Sequence, residues 1–147
     1  SRSKAEEDPP FCLGSQSQGE EQTLASLMDL AKEGVFIAQA LVRRGGSCSR
    51  SLSCLAADHR RALRQLSAAY FLIIGQRYRP PTPSVVINAS LPLALRDQFV
   101  WEQRWERANQ QAAETTSDAC LKELYQELAQ DGVLHAATIR SLLEQMG

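Results

Sequence analysis

The chain has 147 residues, room for one domain and little more. It is 44% hydrophobic and 22% charged, with 16 Lys and Arg against 17 Asp and Glu. That ordinary globular composition excludes a disordered tail, a collagen-like fibre and a strongly basic nucleic-acid packing protein. No apolar run reaches the roughly 18 residues that a membrane span needs, and the opening Ser1-Arg2-Ser3-Lys4-Ala5-Glu6-Glu7-Asp8-Pro9-Pro10 has no apolar signal core.

Residues 1–19, with Pro9, Pro10, Gly14, Gly19 and many Ser and Gln, read as an irregular N-terminal arm pinned by Phe11 and Leu13. Residues 20–147 read as one helical domain. In its first helix Leu24, Leu27, Met28, Ala31, Val35, Ala38, Leu41 and Val42 recur at spacings of three and four, one apolar face. Arg43-Arg44-Gly45-Gly46 ends it, with cations in the last turn and glycine beyond. A second helix runs from about Ser51 to Gly75 on Leu52, Leu55, His59, Ala62, Leu63, Leu66, Ala69, Tyr70 and Ile73. Pro80, Pro81 and Pro83 forbid helix in the next segment. The third helix starts near Ser90, whose hydroxyl caps it, with Pro92 tolerated in the first turn; its stripe is Leu95, Phe99, Glu102, Trp105, Asn109 and Ala112. After the polar joint Thr115-Thr116-Ser117-Asp118, the fourth runs to about Met146 on Leu121, Leu124, Tyr125, Leu128, His135, Ile139 and Leu142.

The short joints make helices 1–2 and 3–4 antiparallel hairpins. The joint between helices 2 and 3 has about 15 residues; extended at roughly 3.1 Å per residue it reaches about 46 Å, more than the roughly 37 Å of a 25-residue helix. The expected architecture is therefore an all-α four-helix bundle, two hairpins joined by a long crossover. A weak internal repeat agrees: the two halves align if the first joint is about two residues shorter than the second.

Four cysteines stand at positions 12, 48, 54 and 120, and none forms a CxxC pair. A zinc ribbon, a rubredoxin-like iron site and a thioredoxin motif are thus unsupported. The expectation is four free thiols in the cytoplasm, with disulfide pairing in an exported protein as the alternative.

The informative residues interrupt the apolar stripes. Both histidines, His59 and His135, fall on them, and so does Glu102. Burying an unpaired carboxylate costs several kcal/mol, so Glu102 needs a partner, a metal or a route to water. Each residue alone reads as an ordinary satisfied core group; three of them on three helices of one bundle point to a common site.

Several segments carry a resemblance: Asp8-Pro9-Pro10-Phe11-Cys12-Leu13-Gly14, Leu55-Ala56-Ala57-Asp58-His59-Arg60-Arg61-Ala62-Leu63, Ala69-Tyr70-Phe71-Leu72-Ile73-Ile74-Gly75 and Leu128-Ala129-Gln130-Asp131-Gly132-Val133-Leu134-His135-Ala136. Together with the helix order they resemble the rubrerythrin-like branch of the ferritin-like superfamily. The resemblance implies a ferritin-like bundle with two irons between the helices. One Glu comes from each of helices 1 and 3, and a Glu-x-x-His pair from each of helices 2 and 4.

Position by position the match is poor. The helix 1 Glu falls on Ala31, or on Leu30 if the alignment slips by one. The helix 2 pair falls on His59 and Ala62, the helix 3 Glu is kept as Glu102, and the helix 4 pair falls on Gly132 and His135. Asp29, Glu33, Asp58 and Asp131 lie nearby but off the interior stripes. The expected metal site is reduced to His59, Glu102 and His135, a set that suits one iron or another divalent transition metal. The alternative is a metal-free polar knot of the same three residues. Gly132 is expected to cost about 1 kcal/mol against Ala and to leave a hole beside His135 for water or a small ligand.

Eight arginines between Arg43 and Arg79 face one acid, Asp58. They read as a solvated face that pairs with acidic surface of a second subunit; without interleaved aromatics nucleic acid is not the expected partner. Trp101 and Trp105 read as core or dimer-seam anchors. Asn88-Ala89-Ser90 matches a glycosylation sequon and is read as a cap. The functional expectation is a rubrerythrin-like protein with a largely lost di-iron centre, non-catalytic or binding one metal weakly, and forming a homodimer through helix faces. Two alternatives stand beside it: an active di-iron oxidase or peroxidase recruiting Glu33 or Asp131, and a metal-free helical interaction protein.

Overall fold

The structure, a computed structural model, describes residues 12–147. Its four long helices are α1 (Glu21–Arg44), α2 (Ser49–Ile74), α3 (Leu91–Thr115) and α4 (Ala119–Met146), and capping residues mark the end of α2 and the starts of α3 and α4. Gly75 closes α2 in the left-handed conformation, φ 81°, with its N–H donating to the Phe71 carbonyl at 2.8 Å. Ser90 caps α3 by accepting from the Leu93 N–H, and Pro92 sits in the first turn. Asp118 caps α4 by accepting from the Leu121 N–H at 2.9 Å. The joint between α1 and α2 is tighter than a loop: Gly46–Cys48 form a single 3-10 turn between the helices.

Tyr70 near the end of α2 donates to Glu21 at the start of α1, 2.9 Å away, so the first pair is antiparallel. The segment after Gly75 then runs alongside α1, tied to it by polar contacts in order. Tyr78 donates to Asp29 at 2.7 Å, Lys32 donates to the Pro80 carbonyl at 2.8 Å, and Arg44 donates to the carbonyls of Asn88 and Ala89 at 2.6 and 2.5 Å. The chain is thereby returned to the end of the bundle where α2 began. The long crossover expected from the linker length is present, and α2 and α3 run in the same direction.

The stripes read from the sequence are the buried faces, with Phe99, Leu63, Leu124 and Val42 half-buried at their edges. The apolar core falls into two clusters. One gathers Leu24, Met28, Ala31, Ala62, Leu66, Trp101, Trp105, Tyr125 and Leu128. The other gathers Ala38, Leu41, Leu52, Leu55, Leu95, Ile139 and Leu142. His59, Gln98, Glu102 and His135 are buried between them. Both tryptophans are core residues of this chain, Trp105 fully buried, rather than anchors of a dimer seam.

The N-terminal arm departs from expectation in two ways. Ser15–Glu20 form a 3-10 helix rather than irregular chain. Cys12, expected as a free thiol, is joined to Cys120, 108 positions away, because the arm folds back onto the start of α4. Asp118 organises that junction, accepting from the Leu13 N–H at 2.7 Å and the Ser17 hydroxyl at 2.5 Å as well as capping α4. Burial pushes the Asp118 carboxyl up, but hydrogen bonds from Ser17, Leu121, Leu13 and Cys120 more than offset it and hold it below the usual carboxylate value. Leu13 packs against the core as read from the sequence, while Phe11 lies outside the described residues. Cys48 and Cys54 stay free.

Candidate metal centre

At the waist of the bundle, α2, α3 and α4 each bring one polar side chain into the dry interior. His59 follows Leu55 on the buried stripe of α2; Glu102 lies between Leu95 and Trp105 on α3; His135 lies between Leu128 and Ile139 on α4. Their exposures are 1%, 0% and 4%. The three groups read from the sequence therefore meet. His59 Nε2 is 2.7 Å from Glu102 Oε2, His135 Nδ1 is 3.1 Å from Glu102 Oε1, and one ligand atom from each residue falls within 4.8 Å of the others.

Two further residues complete the site: Gln98, which the sequence reading passed over, and Asp58, which it named but set off the interior stripes. Gln98, one turn before Glu102 on α3, donates its amide N–H to Glu102 Oε2 at 2.9 Å. Its i,i+4 spacing to Glu102 was the signal that could have found it. Asp58, assigned to a side face of α2, accepts from His135 Nε2 at 2.7 Å. It is reached from α4, and no spacing within α2 carries that information.

These contacts favour the protonated form of His135. Both its ring nitrogens face carboxylate oxygens, and only the imidazolium carries an N–H for each. Burial pushes its pKa down, but the hydrogen bonds and charges of Glu102 and Asp58 outweigh it and raise the value above the usual 6.5. Glu102 is the reciprocal case: burial favours its neutral form, yet hydrogen bonds and charge from His135 and His59 bring it below the usual 4.5.

The surroundings are aromatic. The ring of His59 meets Trp101 and Trp105 edge-on, with centroids 5.0 and 5.7 Å apart. Trp101 lies across Gly34 of α1 so closely that a Cβ there would come within 2.5 Å of the indole. Gly132 has a similar role on α4, and here the sequence expectation is corrected. The hole predicted beside His135 is filled by α3, since a Cβ at Gly132 would meet Glu106 Cβ at 3.0 Å and the Glu102 carbonyl at 3.1 Å.

The remaining acids are occupied elsewhere. Glu33 accepts from Trp101 Nε1 at 2.7 Å and Asp29 from Tyr78. Asp131 lies at the edge of the site beside Arg61, which also holds Asp58 at 3.1 Å. Burial and the Asp58 charge raise Asp131, against the pull of His135 and Arg61. Of the eight arginines, Arg44 is spent on the crossover, Arg61 on Asp58, and Arg77 lies over the Phe71 ring at 4.4 Å.

Chemically, two imidazole nitrogens and a carboxylate oxygen converge in a low-dielectric interior. Ligands about 2.1 Å from a tetrahedral ion stand roughly 3.4 Å apart. The 2.7 Å contact to Oε2 and the 3.1 Å contact to Oε1 would each open by less than an ångström to reach that spacing, and the wider separations in the group, all within 4.8 Å, would close. Asp58 on His135 Nε2 stands where an outer carboxylate would orient the ring for an ion at Nδ1. No protein-family model, curated protein or solved structure matches the chain.

Proposed function

We propose that this protein is a rubrerythrin-like member of the ferritin-like superfamily that has lost most of a di-iron centre. It retains a weak, non-catalytic site for one divalent transition metal at His59, Glu102 and His135. The observation that carries the reading is the Asp58–His135–Glu102 line. Asp58 accepts a hydrogen bond from His135 Nε2 at 2.7 Å, and Glu102, on Nδ1, is the same carboxylate that His59 Nε2 meets. The Asp58 carboxylate fixes the orientation of the His135 ring, so that Nδ1 is the nitrogen that faces Glu102. The family reading is supported by the long crossover and by the burial of all six positions that the resemblance aligns with ligands: Ala31, His59, Ala62, Glu102, Gly132 and His135.

A bound divalent ion supplies Lewis acidity. The chain's own groups hold protons in its place: His135 gives up its Nδ1 proton while Asp58 keeps the one on Nε2, and Gln98 steadies Glu102. Affinity therefore rises with pH until His135 Nδ1 is free. The cytoplasmic expectation rested on four free thiols, and the Cys12–Cys120 bond removes that ground. The reading places the chain in an oxidising compartment, where such bonds persist.

Cobalt(II) titration of chelator-treated protein, followed by its visible absorption, tests the site. One equivalent should bind, binding should vanish in His135→Ala, and Asp58→Asn should weaken it by about 10- to 100-fold. Two metals per chain would favour the oxidase alternative. Absence of saturable binding in the parent would overturn the proposal.

A further inference from the structure

Among the described residues, the hydrogen bonds of the buried cluster lead to the surface at one place. Glu102 meets His59 and Gln98, which are buried like itself, and His135. His135 leads outward, because its Nε2 meets Asp58 Oδ2 at 2.7 Å. The ring thus stands between two carboxylates, the sealed one of Glu102 on Nδ1 and the partly open one of Asp58 on Nε2.

The second Asp58 oxygen is held from outside. Arg61 Nη2 lies 3.1 Å from Asp58 Oδ1 and 3.9 Å from Asp131 Oδ2, so one guanidinium nitrogen covers two carboxylates. Arg61 is one turn beyond Asp58 on α2, and Asp131 is one turn before His135 on α4, which places all four on the seam between these helices. The Asp58 and Asp131 side chains are 31% and 29% exposed, and that of Arg61 is 52% exposed. Such a wet ion pair is weak, and exposed side chains change rotamer within nanoseconds. With Arg61 turned away, two carboxylates line the seam with one sign of charge, and a lining of that kind concentrates the opposite sign.

We infer that Asp58 and Asp131 form the entrance by which a hydrated divalent cation reaches the buried site, and that Arg61 is the built-in cation that must yield to it. The inference rests on the metal reading above and concerns the rate at which the ion arrives. Asp131 and Arg61 touch the ion on its way and are not ligands in the final site.

Stopped-flow mixing of the chelator-treated full chain with cobalt(II), at fixed pH and ionic strength, tests this. The rise of the visible absorption gives the association rate, and its end point in a titration gives the affinity. Asp131→Asn should slow association about tenfold and Arg61→Gln should speed it about tenfold, the lower end of what a charged cleft does to an on-rate. The affinity of Asp131→Asn should stay within about fivefold of the parent's, the reach of a partly exposed charge. Glu144→Gln makes the same charge change about 20 Å further along α4, beyond the screening length, and should leave the rate within about twofold. An Asp131→Asn rate equal to the parent's, a slowing matched by Glu144→Gln or by an equal loss of affinity, or slower loading of Arg61→Gln would each overturn the entrance while the parent's end point still reports the site. A parent with no saturable end point would overturn the metal reading, and the entrance with it.

Discussion

Glu102→Gln is the sharpest test of the buried cluster, because it keeps the shape and removes the charge. Glu102 accepts from His59, Gln98 and His135 with no exposure to water. A Gln offers one carbonyl oxygen and an NH₂ group to those three donors, so at least one donor is left facing another. Removing one partner of a buried ion pair costs about 3–5 kcal/mol. We expect about 3 kcal/mol by urea denaturation of the metal-free chain, or roughly 10 °C in Tm for a chain of this size. The pH profile gives a second readout. Glu102 is depressed in the fold, so its contribution is complete above the usual 4.5 and is lost as pH falls through the folded value. His135 is raised, so its contribution is complete below 6.5 and is lost as pH rises through its folded value. Stability of the parent should therefore peak between pH 4.5 and 6.5 and decline on both sides, and the alkaline decline should shrink in Glu102→Gln. A variant within about 1 kcal/mol of the parent, or a parent profile flat above pH 6.5, would refute a charged cluster.

Three further substitutions probe how the elements are held. Gly34→Ala gains about 1 kcal/mol of helix propensity but drives a Cβ to 2.5 Å from the Trp101 indole; a net loss of about 1–2 kcal/mol is expected, with a shifted tryptophan emission. Gly132→Ala should lose about 1 kcal/mol in a urea melt, because its new neighbours are the α3 backbone and Glu106 Cβ rather than a flexible side-chain end; a stabilised variant would show that α3 can move away. Asp118→Ala strips the α4 cap and two hydrogen bonds to the arm, and should cost about 2–3 kcal/mol and speed proteolysis near Leu13; unchanged digestion would show that the disulfide alone holds the arm.

Most of the fold was legible because local chemistry decided it. Ser90, Asp118 and Gly75 mark helix ends by hydrogen bonds made within four residues, and the apolar stripes needed only the helical period. The meeting of His59, Glu102 and His135 was legible for the same reason, each being the polar residue on a buried face. What escaped detection depends on pairs of elements. The Cys12–Cys120 bond closes a separation of 108 positions, Asp58 reaches His135 from the neighbouring helix, and Gly132 is explained by the approach of α3. An isolated helical glycine looks like a hole until its partner helix is placed against it.

The proposed loss of a di-iron centre has a packing counterpart that can be tested. Ala31 and Ala62, which the resemblance aligns with a carboxylate and a histidine, belong to the same apolar cluster as Trp101 and Trp105. Small residues on α1 and α2 are matched by two large indoles on α3, stacked with centroids 6.0 Å apart and a tilt of 11°. On the proposed reading, small residues at the two aligned positions leave room for indoles in place of ligands, a swap that a core tolerates better than a cavity. Ala31→Glu would bury a carboxylate in the apolar cluster that holds both tryptophans, and should cost several kcal/mol without raising metal stoichiometry above one. If Ala31→Glu instead bound a second metal at unchanged stability, the tryptophans would not fill the vacated half of the centre, and compensation by volume would not explain its loss.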